Sequence, residues 1–119
     1  MVTRAELREI IAALPDVVDG STEDRLGFSC RGKGIAWTFM QRDAPRQPRW
    51  PNLDVLAVSC PLERKEMLIA AAPDIYFDDD HYRGYPAVLT RLPAIDGEEM
   101  EHLLRRACEY QLSKPKRRR

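Results

Sequence analysis

Two amphipathic segments near the two ends of the chain, each opened by a capping-box pattern, constrain the fold most strongly. Thr3 and Glu6 precede an apolar stripe of helical period that stops at Pro15. Asp96 and Glu99 form a similar pair ahead of a second stripe that runs toward the C-terminus. The sequence therefore predicts a helix near each end, with one apolar face on each helix.

Short apolar segments bounded by glycine and proline lie between these helices and predict strands. Residues 26–30 and 35–40 are strand-like and flank a glycine-containing turn at 31–34, a combination that predicts a β-hairpin. The second arm alternates, so we expect its large apolar side chains to share one buried face. These side chains are Ile35, Trp37 and Phe39.

The remaining segments predict one further helix and two further strands. Residues 41–52 contain three prolines and three arginines without an apolar period, which predicts a surface loop. A compact apolar run predicts a strand at 53–59, and residues 61–72 predict a helix with Pro61 at its first position. The side chains of residues 87–92 alternate in character with a period of two, which predicts a strand. Pro86 and Pro93 flank this segment and predict an edge position for it. The order α, β, β, β, α, β, α predicts an α+β two-layer sandwich, with helices packed mainly on one face of an antiparallel sheet.

Length and cysteine content limit the class of protein. A chain of 119 residues can bury one core, so we expect a single domain over residues 1–113 and a disordered basic tail over 114–119. No apolar run approaches the roughly 18 residues that span a bilayer, so we expect no membrane partner. The cysteines are odd in number and far apart in sequence, which favours unpaired thiols and a cytoplasmic location. They are Cys30, Cys60 and Cys108.

The formal net charge of zero conceals a blocky distribution of charge. Residues 25–50 hold six basic side chains and one acidic one, the last six residues hold five basic ones, and the rest of the chain is acidic. Basic side chains on a hairpin and a loop can pair with the phosphates of DNA in a salt-dependent way. The alternative is a solvated sheet edge defended by charge. The candidate nucleic-acid-binding residues are Arg31, Lys33, Arg42, Arg46 and Arg49.

Residues 78–86 bring together three carboxylates, one imidazole, one guanidinium and two phenols. Such a set could orient a general base or hold a hard cation, but consecutive side chains point in different directions. The simpler interpretation is a structured turn in which Gly84 provides a permissive backbone and the tyrosines cover the end of the core. We predict no enzyme activity, no cofactor and no metal, since the chain also lacks a G-x-S-x-G elbow and a P-loop. The candidate contacts for a ligand or protein partner are His81, Tyr82, Arg83 and Tyr85.

The segment from Tyr76 to Leu92, with its His-Tyr-x-Gly-Tyr-Pro core, resembles the signature of the MmcQ/YjbR-like proteins. The opening helix and the hairpin are placed as in that family, so the resemblance covers nearly the whole chain. It implies a compact α+β domain similar to the CyaY (frataxin-like) fold, in a group usually described as DNA-binding through a double-wing arrangement of strands. Residues 31–34 match a wing, and the resemblance supplies no catalytic residues.

Three functional hypotheses name different surfaces of the protein. The leading hypothesis is a non-catalytic protein that binds DNA weakly through the basic hairpin and loop, helped by the tail. The second is a protein or small-ligand binding module that uses the acidic and aromatic segment 76–86. The third, by fold analogy alone, is metal binding. Its ligands would be Asp78, Asp79, Asp80 and His81.

Overall fold

A six-stranded antiparallel sheet forms the centre of the computed structural model, which describes residues 1–114. The strands are β1 Val17–Asp19, β2 Gly27–Cys30, β3 Lys33–Gln41, β4 Trp50–Ser59, β5 Tyr76–Phe77 and β6 Ala87–Arg91. The helices are α1 Arg4–Ala13, α2 Leu62–Ala71 and α3 Gly97–Ser113. The order across the sheet is β1-β2-β3-β4-β6-β5, and every neighbouring pair is antiparallel. The predicted α+β class is confirmed, whereas the predicted tail, apart from Lys114, lies outside the described residues.

The two terminal helices begin where their capping sequences predict. The backbone N–H of Glu6 donates to Thr3 Oγ1 at 3.1 Å, and that of Glu99 donates to Asp96 Oδ1 at 2.8 Å. Each bond satisfies one backbone donor that the first turn of a helix leaves free. Helix α2 differs slightly from expectation, because Pro61 is its N-cap rather than its first helical residue. In the part of the chain that is described, no helix is long and apolar enough to cross a membrane.

The main core lies between the sheet and the helices α1 and α3, while α2 lies beside β5 and β6. Each fully buried aliphatic side chain there contributes about 1.5–3 kcal/mol through removal of apolar surface from water. The apolar stripes of both terminal helices face this core, as their periodicity predicts. Its fully buried members include Leu7, Ile11, Leu56, Val58, Val88, Met100 and Leu104.

The hairpin turn between β2 and β3 is tighter than the sequence indicated. Arg31 has φ 50° and Gly32 has φ 83°, and positive φ at both central residues is the requirement of a two-residue type I′ turn. Lys33 and Gly34 therefore belong to β3 rather than to the turn. The predicted hairpin is confirmed, but its turn has two residues, 31–32, instead of the four that the sequence predicted.

A β-bulge overturns the prediction that the large apolar side chains of β3 share one face. The register between β2 and β3 shifts by one residue at Ile35, which has no partner on β2. Ile35 is fully buried in the main core together with its neighbour Ala36, whereas Trp37 and Phe39 lie on the opposite face. Strict alternation fails here because a bulge adds one residue to the strand, so that the side chains after it point to the opposite faces from those that a regular strand would give.

The strands differ from the sequence interpretation in three further ways: in one boundary, in their number and in the position of β6. Strand β4 begins at Trp50, so the β3–β4 connection is only residues 42–49. Strands β1 and β5, of three and two residues, were not expected because runs this short have no measurable period. The expectation of an edge position for β6 is wrong, because β5 pairs with its outer side. The flanking Pro86 and Pro93 lie outside the strand and remove none of its ladder bonds.

Two of the three cysteines are paired, contrary to the expectation from their spacing. Cys30 on β2 and Cys108 on α3 form a disulfide across 78 positions of sequence, with their Cα atoms 5.8 Å apart. Cys60 is free and buried. The expectation failed because sequence distance gives no information about which thiols the antiparallel sheet and the last helix bring together.

Candidate functional site

Residues 78–86 cross the face of the sheet opposite α1 and α3 and close a second, smaller core. Tyr82 is 9% exposed and packs against Phe39, with the ring centroids 6.0 Å apart. This placement explains why the face that carries Trp37 and Phe39 is not left open to water. The buried members of this second core are Phe39, Val55, Ala57, Tyr82, Ala87 and Leu89.

A buried lysine of α2 holds this segment in place. Lys65 is 3% exposed, and its Nζ donates to the carbonyl oxygens of Tyr82 at 2.7 Å and Tyr85 at 3.0 Å. Its third partner is Asp78, whose Oδ1 lies 2.9 Å from Nζ. All three ammonium donors are therefore satisfied, as a buried charge requires. Sequence reasoning missed Lys65, because it stands in a run of charged residues that resembles an exposed helix start.

The carboxylates of the acidic run have structural partners. Besides the bond from Asp78 to Lys65, Asp79 Oδ1 accepts the backbone N–H of Tyr82 at 2.8 Å, and Asp80 forms an exposed ion pair with Arg83. Gly84 has φ 76°, so the predicted need for a permissive backbone there is confirmed. Within residues 1–114 no group of three His, Cys, Asp or Glu side chains could hold a metal ion.

Four aromatic rings form an open cleft at this surface, called here the aromatic cleft: Trp37, His81, Tyr82 and Tyr85. Its volume is about 370 Å³. The indole N–H of Trp37 donates to the Tyr82 hydroxyl at 2.8 Å, and burial raises the pKa of that phenol, so it stays neutral and accepts the bond. Tyr85 is 50% exposed, and its ring centroid lies 6.5 Å from that of Trp37 at an interplanar angle of 78°. The cleft therefore presents aromatic walls to solvent, two of which are joined by a hydrogen bond.

The β3–β4 connection, residues 42–49, borders a second cleft of about 400 Å³ beside the first. We call this connection the arginine loop, after Arg42, Arg46 and Arg49. Within the described part of the chain, none of these guanidinium groups has a carboxylate within ion-pairing distance. The charged and titratable residues that line the second cleft are Arg42, Asp43, Arg49, Asp79, Asp80 and His81. His81 also lines the aromatic cleft.

The two basic residues of the hairpin lie at the other end of the sheet from this loop. Lys33 begins β3 and Gln41 ends it, eight steps along the strand, which is about 26 Å at 3.3 Å per step. Arg31 pairs with Asp16 at 3.0 Å, and Lys33 Nζ donates to the Gln111 carbonyl at 3.0 Å near the end of α3. The five basic residues that the sequence grouped together thus form two separate sets, and only the loop set lies beside the aromatic cleft.

Comparison with known proteins gives relatives without a described function. The uncharacterized proteins Rv2570 of Mycobacterium tuberculosis (strain ATCC 25618 / H37Rv) and Mb2600 of Mycobacterium bovis are each 32% identical to the chain over 122 residues. Each alignment covers 96% of this chain and 92% of the relative. The chain belongs to the same family as these mycobacterial proteins. No family model matches the chain, and no solved structure matches it.

Proposed function

We propose that this protein is a non-catalytic nucleic-acid-binding protein of the MmcQ/YjbR type that contacts phosphates through the arginine loop. The main support is the presence of three guanidinium groups without carboxylate partners on one eight-residue connection. Guanidinium groups match phosphate oxygens in charge and in geometry. Each unpaired arginine can therefore neutralise a phosphate without first breaking an ion pair of its own.

The acidic residue of the loop does not pair with the arginines of the loop. Asp43, the one acidic residue of the loop, accepts the indole N–H of Trp50 at 2.9 Å and so has a partner of its own.

Membership of the MmcQ/YjbR family is part of the proposal, and the His-Tyr-x-Gly-Tyr-Pro segment supports it. Tyr82 fills the second core, Gly84 adopts the positive φ, and Tyr85 supplies a wall of the aromatic cleft. The two-layer α+β architecture agrees with the CyaY-like fold that the resemblance implies. The segment thus has both a packing role and an exposed surface.

The test compares two double variants that each remove two positive charges. Arg42→Ala/Arg46→Ala changes the loop, and Arg31→Ala/Lys33→Ala changes the hairpin. Fluorescence anisotropy of labelled DNA across a range of NaCl concentrations gives the salt slope of binding. We expect the loop variant to reduce that slope by about 2, because each lost phosphate contact removes about 0.9. The hairpin variant should change it far less, since both its side chains have internal partners.

Two results would contradict the proposal. Undetectable binding at 20 mM NaCl would remove nucleic acid as the ligand, because electrostatic attraction is strongest at low salt. Equal slopes for the loop variant and the wild type would remove the arginine loop as the contact surface. Circular dichroism of both variants shows whether they are folded.

A second candidate function is a protein or small-ligand binding module at the aromatic cleft. The observation in its favour is the 50% exposure of Tyr85 beside Trp37 and His81, since exposed aromatic groups are enriched at interfaces. Affinity capture with wild-type protein and with Tyr85→Ala provides the test. A set of captured partners that is identical for the two proteins would argue against this candidate.

A further inference from the structure

The aromatic cleft and the arginine loop lie side by side, with His81 lining the clefts of both. We propose that together they form a binding site for single-stranded nucleic acid, in which an unpaired base stacks on Tyr85 and an adjoining phosphate contacts Arg42 and Arg49. This inference rests on the proposed function and narrows it from nucleic acid in general to unpaired strands.

The aromatic walls are suited to receive a base. The hydrogen bond from Trp37 to the Tyr82 hydroxyl fixes two of the rings, and half of the Tyr85 side chain remains exposed. A base stacked parallel to Tyr85 would lie at about 78° to the Trp37 ring, the angle between those two rings. Edge-to-face contact is a favourable aromatic arrangement, so both walls can contribute to binding.

The same geometry excludes a base inside an intact duplex. Bases in a double helix cover one another's faces, whereas unpaired bases expose a π-face to any aromatic side chain. The rings here line a recess, and they do not form the protruding wedge with which proteins pry apart stacked bases. The cleft therefore selects strands that are already unpaired.

The arginines beside the cleft can pair with a phosphate although three aspartates, Asp43, Asp79 and Asp80, share the second cleft with them. Asp43 accepts the indole N–H of Trp50. Asp78 is paired with Lys65 and Asp80 with Arg83, while Asp79 accepts the Tyr82 backbone N–H. Arg49 donates one N–H to the Met40 carbonyl at 3.1 Å, which positions its guanidinium and leaves further donors for a phosphate. A groove that combines stacking aromatic groups with arginines is the usual arrangement of proteins that bind single strands.

Four labelled or competing ligands test the proposal in fluorescence anisotropy at low salt. They are a twelve-nucleotide oligothymidine, a twelve-base-pair duplex, a twelve-unit abasic strand and free thymidine monophosphate. We expect the wild type to bind oligothymidine at least fivefold more tightly than the abasic strand, the lower bound of the effect of one stacked base. The duplex should bind no more tightly than the abasic strand, and the monophosphate should compete weakly.

Variants of Tyr85 separate stacking from folding. Tyr85→Ala should lose at least fivefold in affinity for oligothymidine and leave abasic-strand binding unchanged, whereas Tyr85→Phe should behave as wild type. The Tyr85 carbonyl that Lys65 holds is part of the backbone and is retained in both variants. Tyr110→Ala, on α3 across the sheet, removes an aromatic group away from the cleft and should change neither affinity.

The outcomes distinguish this inference from the proposed function. Equal binding of oligothymidine, duplex and abasic strand, unaffected by Tyr85→Ala, would overturn the single-strand inference and leave phosphate binding by the loop intact. Tight binding of the monophosphate without binding of the strand would overturn it in favour of a nucleotide site. Absence of binding to all four ligands would overturn both proposals.

Discussion

Lys65 Nζ and the carbonyl oxygen of Tyr82 lie 2.7 Å apart, in a contact that joins α2 to the segment forming the aromatic cleft. Together with the bond to the Tyr85 carbonyl at 3.0 Å, the contact links a buried charge to two backbone carbonyls of that segment. The stability of the cleft surface therefore depends on a residue that contributes no atom to the cleft lining.

Replacement of Lys65 should destabilise the fold strongly. In Lys65→Met the carbonyl oxygens of Tyr82 and Tyr85 lose their donor, and the Asp78 carboxylate loses its ion pair. We expect a loss of about 2–4 kcal/mol in the free energy of unfolding, measured by urea denaturation. Arg64→Met, at the adjacent position of α2, should change it by less than about 0.5 kcal/mol. Equal effects of the two variants would show that Lys65 does not hold the segment.

Two buried threonines should respond in opposite ways to the same substitution. Thr38 Oγ1 accepts the backbone N–H of Leu26 at 2.7 Å, whereas Thr90 Oγ1 is buried without a partner among the described residues. Thr38→Val should cost about 1–3 kcal/mol because it leaves a buried donor unsatisfied. Thr90→Val should be neutral or stabilising, because it replaces an unpartnered hydroxyl with a methyl group. Thermal unfolding of both variants against the wild type measures the difference, and a larger loss for Thr90→Val would refute the assignment.

The disulfide between Cys30 and Cys108 can be tested by counting thiols. In denaturant without reductant, one thiol per chain should react, and after reduction all three should react. Cys108→Ser should lower the free energy of unfolding by about 2–4 kcal/mol, because the bond closes a long loop of the unfolded chain. Three reactive thiols in protein prepared without reductant would refute the bond. They would also agree with a cytoplasmic location, where structural disulfides are rare.

Stability should fall at high pH through the buried thiol of Cys60. Burial raises its pKa to about 11 from 9.0, so the neutral thiol contributes fully below pH 9 and this contribution is lost as the pH rises toward 11. The loss is on the order of 2 kcal/mol. Urea unfolding between pH 8 and 10.5 should show a shallower decline for Cys60→Ala than for wild type. Parallel declines would contradict the role of Cys60.

Tyr76 provides an independent check on the loss of stability at high pH, because its pKa is also raised. Burial, together with the hydrogen bond from its hydroxyl to Glu99, raises the pKa of Tyr76. The neutral phenol therefore stabilises the fold below about pH 10, and the contribution is lost at higher pH. Tyr76→Phe should flatten the decline in stability above pH 10, and it should remove one of the phenols whose ionisation, followed by ultraviolet absorbance, is delayed to high pH by burial.

Local interactions explain which structural predictions succeeded. Thr3 and Asp96 cap their helices through bonds to residues three positions away, so the sequence pattern contains the whole contact. Gly32 likewise marks the hairpin turn through its own backbone freedom. The face of Ile35 was predicted wrongly, because a bulge depends on how a neighbouring strand pairs with it. The candidate site follows the same division: His81, Tyr82 and Tyr85 were named from composition, whereas their contact with Trp37 was not.

The amino-acid order of this protein specifies its helix ends, its hairpin, its α+β class and the identity of its basic and aromatic groups. Folding in three dimensions separates Arg31 and Lys33 from Arg42, Arg46 and Arg49, buries Lys65 and joins Cys30 to Cys108. The physical reason is the distance along the sequence over which each interaction acts. Caps and turns are formed by residues that are near neighbours in the sequence. The three other outcomes depend on groups that the pairing of strands and the packing of helices bring together from distant positions.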